Sequence, residues 1–153
     1  MLNHLYPLSC SFIALIVAQA LKPFFYYAVK REWVPLLCFS SGGFPSSHTA
    51  MVTALALSVG LTEGFDSTLF VITLVLSLVV GYDAANVRYY AGQNIQITQK
   101  LIKDLQYLAG LKLDDPIYFT KVKEVLGHKW REVFGGCILG IATAYIIYIF
   151  AVI

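Results

Sequence analysis

The strongest constraint on this chain is where its charges are missing. No Asp, Glu, Lys or Arg occurs from Met1 to Leu21, from Trp33 to Thr62, from Ser67 to Tyr82, or from Val133 to Ile153. A membrane-spanning helix needs roughly 20 mostly apolar residues. The last stretch meets that length easily, the first meets it at the short end, and the third reaches it if the helix continues past Asp83 toward Ala85. With 58% hydrophobic and 13% charged residues in 153, a soluble globule is excluded and the chain reads as one membrane-embedded domain over residues 1–153.

The second stretch is uncharged but interrupted by Gly42, Gly43 and Pro45. Such a run breaks a helix and supplies turn geometry. A helix is expected to restart at Ser46 or Ser47, both good N-cap residues, and to run about 15 residues, with 33–41 as a re-entrant or interfacial piece beside it. The expected fold is therefore an all-α integral-membrane bundle of four to five membrane helices.

The basic residues set the orientation. With four spans, all eleven Lys and Arg fall on one side, in the segments 22–44 and 84–132. This predicts both segments in the cytoplasm, and both termini and the loop TEGFDST on the opposite side. Within the second basic segment Ile97, Leu101, Leu105 and Leu108 recur at helical spacing between Gly92 and Gly110, which predicts a cytoplasmic amphipathic helix packed on the bundle or touching lipid headgroups. The first twenty-one residues lack the basic region of a cleaved signal peptide, so that segment is expected to be retained. A net charge of +2 and the lack of an aromatic-interleaved basic patch argue against nucleic acid as a partner. Cys10, Cys38 and Cys137 form no C-x-x-C pair and read as buried thiols.

Ionisable groups at the ends of membrane helices are costly, which makes them functional candidates. Gln19 and Lys22, the run GGFPSSH at 42–48, Asp83 with Arg88, and GHKWRE at 127–132 all fall on the predicted cytoplasmic face, although the orientation did not depend on their being a group. Glycines that let backbone N–H groups approach an anion, followed by a helix N-terminus, make a phosphate cradle that hydroxyls and His48 would complete. The alternative is an ordinary capped helix after a glycine turn. His128 and Glu132, four apart, would share a helix face, where a carboxylate can fix the imidazole tautomer and raise its basicity. The same pair could equally be a surface contact, and no further His or Cys has the spacing of a metal site. Asp83 and Arg88 are five apart, not ideal for pairing on a straight helix. Arg88 could bind phosphate bidentately and Lys22 could add a point charge or simply snorkel.

PSSH at 45–48 after GG, GYDAANVR at 81–88, LGHKWREVFGG at 126–136 and EGFDS at 63–67 together resemble the divergent short branch of the type-2 phosphatidic acid phosphatase superfamily, which is related to vanadium-dependent haloperoxidases. The resemblance implies an all-helical bundle and a metal-independent phosphatase without cofactor. By position, Lys22 resembles the basic residue of the first motif, and Pro45, Ser46, Ser47 and His48 resemble a P-S-G-H motif whose Ser and amides bind phosphate and whose His protonates the leaving oxygen. His128 resembles the nucleophile of the third motif and Glu132 the acid that orients it. The chain departs from the family pattern at four points: the first motif lacks its Arg-Pro, Ser47 stands for Gly, Glu132 for Asp, and Val122 where an Arg is expected. Arg88, held by Asp83, is the candidate to supply that charge. The implied function is hydrolysis of a lipid phosphomonoester or pyrophosphate, such as phosphatidate, phosphatidylglycerophosphate or an isoprenoid phosphate, through a phosphohistidine at the cytoplasmic face. The rival is a lipid-phosphate binder or scaffold that keeps the pocket without the chemistry.

Overall fold

The computed structural model describes residues 5–109 and 127–152. Among them are five α-helices, α1 Tyr6–Lys30, α2 Ser47–Glu63, α3 Thr68–Ala85, α4 Val87–Ala109 and α5 Trp130–Val152, and one 3₁₀ helix, Pro35–Phe39. Val122 and Gly110, named above, lie outside the described residues, as do Lys112, Lys121 and Lys123.

The charge-free stretches became helices, with two extensions. The first helix does not stop at Leu21 but runs through Lys22 and Pro23 to Lys30, where Arg31 turns left-handed (φ 59°) and donates its N–H to the Tyr27 carbonyl. A single charge failed to end the helix because it is buried and hydrogen-bonded. The third helix reaches Ala85 as expected, and the Asn86 backbone (φ −117°, ψ −72°) separates it from α4. The stretch 33–41 contributes the 3₁₀ turn and no fifth membrane helix.

Three helical segments are long and apolar enough to cross a membrane: Tyr6–Lys30, Thr68–Leu108, which counts α3 and α4 together across Asn86, and Trp130–Phe150. At 17 residues, α2 is about 25 Å long, shorter than the roughly 30 Å of a hydrocarbon core. It contacts α1, α3 and α5, so it is enclosed by protein and its ends can stop short of the lipid boundary.

Apolar solvent offers no hydrophobic drive to bring helices together, so they associate through close backbone approach. Tyr6, Cys10, Ala14 and Ala18 line one face of α1 at four-residue intervals and meet Ala50, Ala54 and Ala144. The Tyr6 hydroxyl donates to the Ala144 carbonyl at 3.1 Å. On α5, a Cβ at Gly136 would strike the Ser46 carbonyl and one at Gly140 the Ala50 carbonyl; only glycine lets the two helices come this close. The large aliphatic side chains face outward, as lipid contact requires. Of the three cysteines, all free thiols, only Cys10 is buried, while Cys38 and Cys137 are half-buried.

Candidate functional site

The start of α2 is built from Ser46. This residue is the N-cap: its Oγ lies 2.9 Å from the Thr49 hydroxyl and accepts the Thr49 N–H at 3.4 Å. Its own N–H donates to the Glu132 carbonyl at 2.9 Å, which ties the first turn of α2 to the first turn of α5. Gly136, one turn further along α5, keeps that approach open. Ser46, Ser47 and Thr49 are fully buried, and the Ser47 hydroxyl has no partner.

His128 stands just before α5, not on a helix face as its spacing suggested. Its N–H donates to the Ala84 carbonyl at 2.9 Å, which anchors this segment to the end of α3. The pairing with Glu132 forms nevertheless, because Glu132 sits at the third position of α5 and its side chain turns back toward the segment preceding the helix. Glu132 Oε2 lies 2.9 Å from His128 Nδ1 and accepts the Lys129 N–H at 3.3 Å. One carboxylate therefore caps the helix N-terminus, in the manner of a capping box, and holds the imidazole. An ionised carboxylate only accepts, so in the neutral imidazole this contact selects the Nδ1–H tautomer, the one whose lone pair is on Nε2. That Nε2 is buried without a partner among the described residues, in a residue only 3% exposed.

Lys22 does not snorkel. It is 2% exposed, and its Nζ donates to the Ser40 carbonyl at 2.7 Å, leaving two further ammonium protons for other acceptors. Three residues earlier on α1, Gln19 Oε1 is also buried without a partner. Asp83 and Arg88 do pair, Oδ2 to Nε at 2.6 Å. The spacing of five is unfavourable on a straight helix, but the break at Asn86 lies between them and reorients the two side chains. His48, by contrast, is exposed on the first turn of α2. The ionisable groups that act on it are Arg88, His128 and Lys22, one each from α4, the segment leading into α5, and α1.

A cavity of about 510 Å³ opens beside these groups. Of the expected residues it gathers Lys22 and Glu132, while Ser46, Ser47, His48, Arg88 and His128 are not in its wall. Lys129 and Arg131, from the run GHKWRE, and Lys30, which the sequence had not singled out, add three cations, and Phe25, Tyr26 and Phe44 make its apolar side. Once α1 continues to Lys30, Lys22, Phe25, Tyr26, Val29 and Lys30 recur at helical spacing on one face. The Phe25 ring packs on Phe44 with centroids 4.7 Å apart, a contact that no spacing rule connects.

A family model described as the divergent PAP2 family matches residues 3–143. The chain is 36% identical over 147 residues to an uncharacterised membrane protein, YuiD, of Bacillus subtilis (strain 168), covering 93% of each chain. No solved structure matches.

Proposed function

Because the chain belongs to the divergent PAP2 family, we propose that this membrane protein is a metal-independent phosphatase acting on a lipid phosphate at the cytoplasmic face. The observation that carries the reading is the setting of His128: a buried imidazole whose Nδ1 is held by Glu132 and whose Nε2 has no partner among the described residues. A merely structural histidine in such surroundings would have both nitrogens satisfied.

In the proposed route Nε2 attacks phosphorus and the P–O bond to the lipid breaks. His48 delivers its proton to the departing alkoxide, and a phosphohistidine remains. His48 then takes a proton from water as the water oxygen attacks phosphorus, the P–N bond breaks, and inorganic phosphate leaves. Glu132 stabilises the imidazolium that forms in the first step. Lys22, Arg88, the Ser47 hydroxyl and the N-terminus of α2 supply donors and positive potential for the equatorial oxygens, typically about 3–4 kcal/mol for one well-placed donor. The acyl or isoprenyl chain follows the aromatic side of the cavity toward lipid, while Lys30, Lys129 and Arg131 face the headgroup.

The test is phosphate release by the purified protein in detergent micelles containing phosphatidate, phosphatidylglycerophosphate or an isoprenyl pyrophosphate, with EDTA present. Turnover is expected with the native chain and none with His128→Ala. If no lipid is turned over while vanadate still raises the melting temperature, the chain binds lipid phosphate without hydrolysing it, and the phosphatase reading fails.

A further inference from the structure

Helix α4 does not fit either medium alone. Placed at 100° per residue, Val87, Tyr90, Ile97, Leu101, Leu105 and Leu108 fall with Ile95 and Ile102 in one apolar arc of about 160°, interrupted by Asn94 and Thr98. Arg88, Lys100, Lys103, Asp104 and the glutamines occupy the rest. With four charges in 23 residues it is a poor spanning segment. In water its apolar arc would stand uncovered: Ile97 is 65% exposed, Leu101 56% and Leu108 80%. The bundle does not cover it, since the described contacts of α4 are chiefly with the neighbouring α3.

We propose that α4 lies on the bilayer surface, its apolar arc sunk at the boundary between headgroups and acyl chains, and Lys100 and Lys103 turned to anionic headgroups. Three observations select lipid over a second copy of the chain. The helix starts one residue after the membrane helix α3 ends, so it begins at the membrane boundary by covalent connection. The arc is wider than the narrow seam of a coiled coil. With Arg88 paired to Asp83, Lys100 and Lys103 on the polar side against the single acid Asp104 complement an anionic leaflet. The placement sets the depth of Arg88 in the first turn of α4, whose backbone is so close to Gly127 that no Cβ fits there. The surface placement itself does not depend on the phosphatase reading.

The experiment uses the full chain with Cys10, Cys38 and Cys137 replaced, reconstituted in phosphatidylcholine vesicles with and without phosphatidylglycerol. Single cysteines at Ile97, Leu101, Leu105 and Leu108, and at Gln93, Lys100, Lys103 and Tyr107, all exposed positions, carry a polarity-sensitive fluorophore. The first four are expected to shift to the blue and to be quenched at least about twofold more than the second four by a lipid nitroxide placed near the headgroup. In the otherwise unaltered α4, adding phosphatidylglycerol deepens that contrast, and Lys100→Gln with Lys103→Gln removes the deepening. Eight water-like signals would overturn the proposal. So would an arc shielded from water yet unquenched by lipid nitroxide, which is a protein partner, or stronger quenching by a nitroxide at the chain end, which is a spanning helix.

Discussion

Alanine in place of glycine at three neighbouring positions of α5 separates packing from catalysis. A Cβ at Gly136 would collide with the Ser46 carbonyl and stand 3.0 Å from Thr49 Cβ and 3.2 Å from Ser46 Cβ. Carbon atoms rest at about 3.5–4.0 Å, so α5 must retreat from α2 by roughly 0.5–1 Å. Overpacking of this size costs about 1–3 kcal/mol. A gain of up to about 1 kcal/mol from replacing a helical glycine offsets part of it. Gly140→Ala meets the Ala50 carbonyl, with Thr53 Cβ at 3.0 Å, and should lose a similar amount. Gly135→Ala meets only the edge of the Phe44 ring, which can turn, so its stability should change by less than about 1 kcal/mol. The assay is the melting temperature in one detergent, followed by phosphate release at a temperature where all three variants remain folded. Gly136→Ala and Gly140→Ala are expected to melt several degrees lower, about 2–4 °C per kcal/mol at this chain length. Only Gly136→Ala should also lose activity, because it separates Ser46 from Glu132, and a displacement near 1 Å can cost about 10²-fold in rate. Equal melting temperatures for all three would refute the packing argument; equal activities in Gly136→Ala and Gly140→Ala would refute the claim that this contact positions the site.

Glu132→Ala should lower turnover by about 10²–10⁴-fold, the range for a positioned acid or base, and cost about 1.5–3 kcal/mol through the lost charge-assisted bond and helix cap. Glu132→Gln keeps an acceptor and should lose less of both, which ¹⁵N shifts of His128 would report as a retained Nδ1–H tautomer. Ser46→Ala removes a satisfied N-cap and is expected to cost about 1 kcal/mol. Ser47→Ala removes a buried hydroxyl that has no partner, so the melting temperature should hold while stabilisation by vanadate weakens; a clear drop in melting temperature would show that the hydroxyl is bonded within the fold. The Asp83 and Arg88 pair is short but half exposed at Arg88, so Asp83→Asn should change stability by less than about 1 kcal/mol. Arg88→Ala should instead raise KM for any lipid phosphate, read from initial rates against lipid mole fraction.

How far the chain could be read depended on the range of the interaction. The α1 helix shows both sides of this. Its apolar length and its small-residue face at positions 10, 14 and 18 are periodic and visible, but its extension through Lys22 is not, since it rests on a carbonyl 18 residues away. The same holds for His128: the spacing to Glu132 predicted a pair, yet on a shared helix face. The pair is actually made by a side chain turning back from the first turn of α5 across a chain that has not yet become helical.

Sequence by itself determined the medium and the elements. The charge-free runs, the glycine and proline break at 42–45, the serine cap and the amphipathic period of α4 are all local, set by covalent geometry and by the cost of carrying charge into hydrocarbon. Only the tertiary structure decided which lone pairs stay free and which are spent. Lys22 spends one proton on Ser40, Glu132 serves a helix end and an imidazole together, and Ser47 and His128 keep unpartnered atoms inside the bundle. The seating of Ser46 against Glu132 follows from Gly136 on α5, which lets the two helix starts come together. That contact joins positions 46 and 132, and no short window of the sequence contains both partners.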